Sequence, residues 1–207
     1  MSLMSGGLTA RRYRVVGEPP ENFRVEYAEQ LAEHAFRDAL SIQKSEELEG
    51  WVLPQNLLDT DFSQQDRWLF NQYLAAALRV DKKTLPSKLF KAHLDRRLKE
   101  WCQEQKRERA PASVRTEIKE LLEDEMYMRC LPRVSLFEFC WNLAEGWVIF
   151  MNCSDGANER FRKRFRDTFG LSLAAFSPLD FLDDQPELAG VLEIQGMSDL
   201  RAHGDLR

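Results

Sequence analysis

Histidine and cysteine, two residue types that often carry catalysis or hold a metal ion, are scarce in this chain. It contains three histidines and four cysteines in 207 residues, and the cysteines at positions 102, 130, 140 and 153 form no CxxC pair. That spacing matches neither a zinc site nor a compact disulfide framework. Glycine-rich phosphate loops, nucleophile elbows and Cys–His signatures are also missing. The sequence therefore predicts no catalytic residues, no metal site and no cofactor.

Long apolar runs are missing as well. The longest ones, Tyr73–Leu78 and Trp147–Met151, are far too short to span a bilayer. No basic segment followed by an apolar one opens the chain, which predicts that there is no signal peptide. We therefore expect a protein of the reducing cytoplasm that has no membrane partner.

The chain has enough apolar sequence to form a core. Hydrophobic residues make up 43% and charged residues 30%, which is typical of a globular protein. The length suits one domain or two closely packed halves. We expect a single domain of two packed halves over residues 4–182, because Met1–Leu3 ahead of Met4 looks like an addition from cloning. Residues 183–207 are acidic, and we expect them to form a loosely attached tail.

Hydrophobic periodicity and turn residues predict six strands and four helices. The predicted strands cover residues 8–16, 50–54, 73–82, 133–143, 147–152 and 171–176. The predicted helices run over residues 22–40 and 86–105, from Ser113 to the Leu131-Pro132 break, and over residues 154–169. The order β-α-β-β, two helices, β-β-α-β predicts an α+β fold with mostly antiparallel sheets. Its mirror-like halves suggest a structural pseudo-repeat.

Four segments in this order resemble signature segments of the RdgC family. They are Gly50-Trp51-Val52-Leu53-Pro54, Lys82-Lys83-Thr84-Leu85-Pro86-Ser87, Glu123-Asp124-Glu125 before Leu131-Pro132-Arg133, and Gly146-Trp147 to Ser154. The resemblance covers roughly Leu8 to Leu182, and it favours a strand over a helix for Tyr73 to Lys82. It implies a recombination-associated protein of the nucleoid that binds duplex DNA with little sequence preference. Family members form a ring-shaped homodimer around DNA and restrain recombinase filaments, so a second copy and a recombinase are the expected partners.

Positive charge is concentrated in two segments of an acidic chain. The formal net charge is −5, yet residues 79–116 carry 12 positive and 5 negative side chains. Cations spaced along a helix can follow a phosphate backbone. The DNA-binding candidates of the first cluster are Lys82, Lys83, Lys88, Lys91, Arg96, Arg97 and Lys99. Those of the second cluster are Arg160, Arg162, Lys163, Arg164 and Arg166. An ordinary solvated helix surface is the other interpretation of both clusters.

Other functions remain open from the sequence. An interaction protein that kept this fold without DNA binding would show the same patterns. A metal-dependent exonuclease would need grouped carboxylates, and the candidates are Asp59, Asp61 and Asp66 or Glu120, Glu123 and Asp124. Exposed strand edges predicted in the 133–153 hairpin favour a homodimer. The aromatic residues keep core spacing in the predicted helix and strand, which favours packing over base stacking.

Overall fold

The computed structural model describes residues 9–37 and 47–176 of the chain. Within these ranges the helices are α1 (Phe23–Glu33), α2 (Ser87–Glu104), α3 (Ala112–Arg129) and α4 (Asp155–Phe169). The strands are β1 (Arg11–Val16), β2 (Glu47–Val52), β3 (Leu69–Phe70), β4 (Tyr73–Lys82), β5 (Arg133–Asn142), β6 (Trp147–Phe150) and β7 (Ser172–Ala175). The order is the predicted one with the short β3 added, and the α+β class is confirmed.

The strands form one antiparallel sheet in the order β2-β4-β5-β6-β1-β7, with β3 paired to β4. Strand β4 has the Leu and Ala content of a helix, which makes its segment ambiguous by propensity alone. It forms a strand because every residue from Leu74 to Asp81 is buried and pairs with β5 across its whole length. The strand prediction for residues 73–82 is therefore confirmed.

One face of the sheet, the core face, packs against α1 and α4. Phe139 and Trp141 alternate onto this face from β5, and both are fully buried. Helix α4 places an aromatic residue against them at every fourth position, at Phe161, Phe165 and Phe169. Phe161 stacks on Phe150, with ring centroids 4.1 Å apart and planes 7° apart.

Helices α2 and α3 form an arm between β4 and β5. The two helices pack against each other, and Leu98 and Leu122 are buried between them. Helix α3 begins at Ala112 after Pro111, so Ser113 lies inside the helix and is not its cap. Leu121 is next to Leu122 in sequence but is 56% exposed, so the buried side of α3 is narrow. No helix formed by the described residues is long and apolar enough to cross a bilayer.

The end of helix α1 differs from its prediction, and the predicted hairpin edge is covered only in part. Helix α1 ends at Glu33 and not near residue 40, because Ala35 forms a parallel bridge with Trp51. The 133–153 hairpin is covered only in part, since β6 pairs with Phe139–Asn142 of β5, whereas residues 133–137 pair with β4 alone among the described strands. The unpaired side of this segment is the edge from which the homodimer was predicted, and the homodimer stays a prediction. The tail predicted at residues 183–207 lies outside the described residues.

Candidate nucleic-acid interface

The outer side of α2 carries a stripe of three lysines, Lys88, Lys91 and Lys99, called the lysine stripe below. Separations of three and eleven residues place all three on one side of the helix, with Asp95 among them. Leu98 follows Lys91 by seven residues and so lies on nearly the same side of the helix; it is buried between α2 and α3, so the lysine stripe borders the packed side of α2. All three lysines are exposed, and within the described residues none of them forms an ion pair. Their ammonium groups are available to an anionic ligand.

The other candidates of the first cluster already have partners. Arg97 donates to both carboxylate oxygens of Glu125 on α3, at 3.3 and 2.5 Å. Arg96 lies 3.8 Å from Glu100 one turn away on the exposed side of α2. Lys82 binds Glu47 at 2.6 Å, and Lys83 is buried with its Nζ donating to the Tyr127 carbonyl at 3.3 Å. These four cations are less available than the lysine stripe.

The second cluster is divided by the way α4 packs on the sheet. Arg160 donates to Glu47 at 2.5 Å and to Glu49 at 2.8 Å. Arg164 donates to the Glu49 carbonyl at 2.8 Å and lies 3.2 Å from its carboxylate. Arg162, Lys163 and Arg166 point away from the core and are exposed. Of this cluster, only the last three therefore present charge on the surface of α4.

Sequence reasoning missed the carboxylates of β2 that neutralise part of both clusters. Glu47 accepts hydrogen bonds from Lys82 at the end of β4 and from Arg160 on α4. These bonds, with that from Lys82 the larger cause, hold the pKa of Glu47 below its ordinary value. The signal was the two-residue spacing of Glu47 and Glu49, which puts both on one face of a strand. Their shared partner Arg160 is more than a hundred positions away in α4, which no local pattern could indicate.

A surface pocket of about 650 Å³ lies where β1 and β7 meet the start of α4. Its walls carry Arg11, Arg12 and Arg162, together with the carboxylates of Asp155 and Glu159. Arg11 binds Asp155 at 2.7 Å, and this bond raises the pKa of the Arg11 guanidinium. The pocket is therefore of mixed charge, and we do not count it as part of the basic surface.

Asp59 and Asp61, two of the carboxylates considered for a nuclease, form contacts within their own loop. Asp59 accepts from the Asp61 amide at 3.1 Å and pairs with Arg67, and both contacts lower the pKa of Asp59. Asp61 accepts from the Ser63 amide at 3.0 Å. Such bonds from a side chain to a nearby amide are typical of turns. Among the described residues, no three His, Cys, Asp or Glu side chains are grouped so that they could hold a metal ion.

Comparison with known families finds a match over most of the chain. A family model described as "Putative exonuclease, RdgC" matches residues 11–184 of the chain. No curated protein matches the chain. The matched range includes both basic clusters and every strand and helix of the described structure.

Proposed function

Since the chain belongs to the RdgC family, we propose that it is a non-catalytic protein that binds duplex DNA with little sequence preference. Family membership supports a recombination-associated protein. A role in the nucleoid, a recombinase partner and a homodimer are part of the same proposal. The observation that carries the DNA-binding part is the lysine stripe on α2.

The stripe suits phosphates better than bases. Lys88 and Lys99 are eleven residues apart, so they lie about 16 Å apart along the helix axis. Duplex DNA carries a charge about every 1.7 Å along its axis, so several phosphates fall within that reach. Lysine ammonium groups on flexible stems act as point charges and lack the planar fork that reads base edges. Contacts of this kind bind many sequences about equally well.

The first test removes the stripe. We expect the triple variant Lys88→Ala, Lys91→Ala, Lys99→Ala to bind two unrelated duplexes more weakly, and by about the same factor for each. The slope of log affinity against log salt should flatten by about one unit for each phosphate that the variant no longer binds. Fluorescence anisotropy titrations at several salt concentrations measure both quantities. Each exposed substitution should change stability by no more than about 0.5 kcal/mol.

A charge-matched control separates the stripe from a reduction of net charge. Arg24, Arg37 and Lys119 are exposed cations outside the stripe, and replacing all three by alanine removes the same charge. This control should leave the salt slope almost unchanged. An equal reduction of affinity in both triple variants would mean that only total charge matters. Unchanged affinity and slope in the stripe variant would exclude α2 and favour the interaction-protein alternative.

The second test concerns catalysis. Labelled duplex and single-stranded DNA, incubated with the protein and Mg²⁺ or Mn²⁺, should remain intact. The physical reason is that two-metal hydrolysis needs carboxylates that share a metal, whereas Asp59 is paired with Arg67. Denaturing gels over a long time course measure the result. Cleavage that persists through purification and disappears in Asp59→Ala or Glu120→Ala would establish a nuclease.

A further inference from the structure

A surface groove lies on one side of the arm, between the first half of α2 and the end of α3. It encloses about 370 Å³, and its apolar lining consists of Leu85, Leu89, Leu122 and Met126. Leu89 is 50% exposed, and Leu131, just beyond the end of α3, is 81% exposed. Single exposed apolar side chains are ordinary, but a group of them around a concave surface marks a binding site. This surface is called the arm groove below.

The charged residues around the arm groove leave an excess of positive charge. Arg97 is paired with Glu125, and Arg96 is paired with Glu100. Arg129 also lines the groove and is exposed, and no carboxylate of the described residues lies within ion-pair distance of it. The hydrogen bond from Arg97 and, to a smaller extent, the charge of Arg129 hold the pKa of Glu125 below its ordinary value. An occupant that carries both carboxylates and apolar side chains would complement this surface.

Residues 185–200 of the same chain, called the acidic segment below, have this composition. They lie outside the described residues and beyond residue 184, where the family match ends. The segment contains three carboxylates and no Lys, Arg or His. Between the carboxylates, Leu188, Val191 and Leu192 recur at separations of three and one, the spacing of segments that bind in a groove between helices. The acidic segment therefore has both the charge and the apolar side chains that the arm groove lacks.

The last described strand leads the chain towards the arm. Strand β7 is related to β5 by three antiparallel pairings, so it runs towards the end of the sheet where β5 begins and the arm is attached. The Phe176 amide donates to the Arg12 carbonyl, and pairing through β1 and β6 puts Phe176 level with Cys140 of β5. Three strand spacings and seven residues of β5 separate it from Arg133, a distance of about 28 Å. The twelve residues from Phe176 to Leu188 can span about 40 Å, so the acidic segment can reach the groove of its own chain.

We propose that the acidic segment binds in the arm groove of its own chain, with Leu188 and Leu192 against the apolar lining and a carboxylate of the segment beside Arg129. This contact ties the arm to the far edge of the sheet, from which the chain leaves β7. The arm groove and the lysine stripe use different residues of α2. Binding of the segment therefore does not require that the stripe bind DNA, and the two can be tested separately.

Cys130 lines the arm groove, so its reactivity reports whether the groove is occupied. A maleimide modifies the thiols that it can reach, and mass spectrometry of digested samples follows Cys130 with the exposed Cys153 as an internal reference. In the full chain, the variant Leu188→Ser, Val191→Ser, Leu192→Ser should react at Cys130 about tenfold faster than the parent, the factor for a groove that is occupied about nine-tenths of the time. The rate at Cys153 should be the same in both proteins. Circular dichroism checks that each variant is folded.

A matched pair of variants tests the groove side of the contact. Leu89→Ser, within the groove, should also raise the rate at Cys130, whereas Leu58→Ser, at a leucine that is 73% exposed outside the arm, should not. In a Leu192→Cys variant, a short bismaleimide should join the introduced thiol to Cys130 within one chain, which a denaturing gel and peptide mapping detect. Crosslinked dimers instead would assign the groove to the segment of a second copy and overturn the contact within one chain. Equal Cys130 rates in the parent and in the triple variant would overturn the proposal altogether.

Discussion

Replacing Asp81 by alanine should lower the free energy of unfolding by about 3–5 kcal/mol, because it leaves a buried guanidinium without its partner. Asp81 is 0% exposed and Arg79 is 9% exposed. The Arg79 Nε donates to Oδ1 at 2.9 Å and its Nη2 donates to Oδ2 at 2.6 Å. The Arg79 Nη1 also donates to the Leu57 carbonyl at 3.0 Å, so the guanidinium cannot easily turn towards water.

Urea unfolding followed by circular dichroism measures the change. The double variant Arg79→Met, Asp81→Leu removes both charges and should be far less destabilised than the single variant, since a buried pair often contributes little net stability. Glu100→Ala breaks the exposed pair with Arg96, and should cost no more than about 0.5 kcal/mol. If Asp81→Ala lowered the free energy of unfolding by less than about 1 kcal/mol, water would have to reach the Arg79 guanidinium once the carboxylate is removed.

The Gly50→Ala variant should be destabilised by about 3 kcal/mol or more, since its Cβ would overlap backbone atoms that have no room to move. A Cβ at Gly50 would lie 2.4 Å from both the N and the Cα of Phe36. The chain is held there by hydrogen bonds from the Phe36 amide to the Trp51 carbonyl, 2.9 Å, and from the Trp51 amide to the His34 carbonyl, 3.0 Å. Relieving the overlap would require these bonds to break.

Gly156 provides the matched control. It lies in the first turn of α4, and a Cβ there would meet no atom within 4 Å. Gly156→Ala should be neutral or should stabilise the protein by up to about 1 kcal/mol, because alanine favours the helix over glycine. Thermal unfolding of the two variants in parallel gives the comparison. Equal stability of both would show that the 34–37 segment moves away from β2 without cost.

Much of the fold follows from local sequence patterns. The four-residue spacing of Ala157, Phe161, Phe165 and Phe169 predicts α4 and its buried side, and all four are buried. Gly170 ends that helix with φ of 69°, a conformation that favours glycine. The end of α1 could not be predicted in this way. It is set by the bridge between Ala35 and Trp51, a contact between separate parts of the chain.

The candidate site was less accessible to prediction from the sequence. Helical spacing shows on which side of a helix a cation lies, but it does not show which residues from other elements face that side. Arg160 and Arg162 are equal candidates in the sequence, yet the first is held by β2 and the second is exposed. Arg12 was interpreted only as part of a strand, because its aromatic neighbours come from β6 and from the end of β7. Contacts between distant segments decide both cases.

The arm formed by α2 and α3 is an insertion between two strands that are direct neighbours. Lys82 at the end of β4 pairs with Arg133 at the start of β5, so the two ends of the arm lie about 5 Å apart. A short turn could join these ends and leave every pair of the sheet in register. The arm can therefore change in length, charge or partner without altering the sheet that supports it. The arm and the sheet can therefore evolve separately. The basic helix α2 could be replaced while the sheet stays the same.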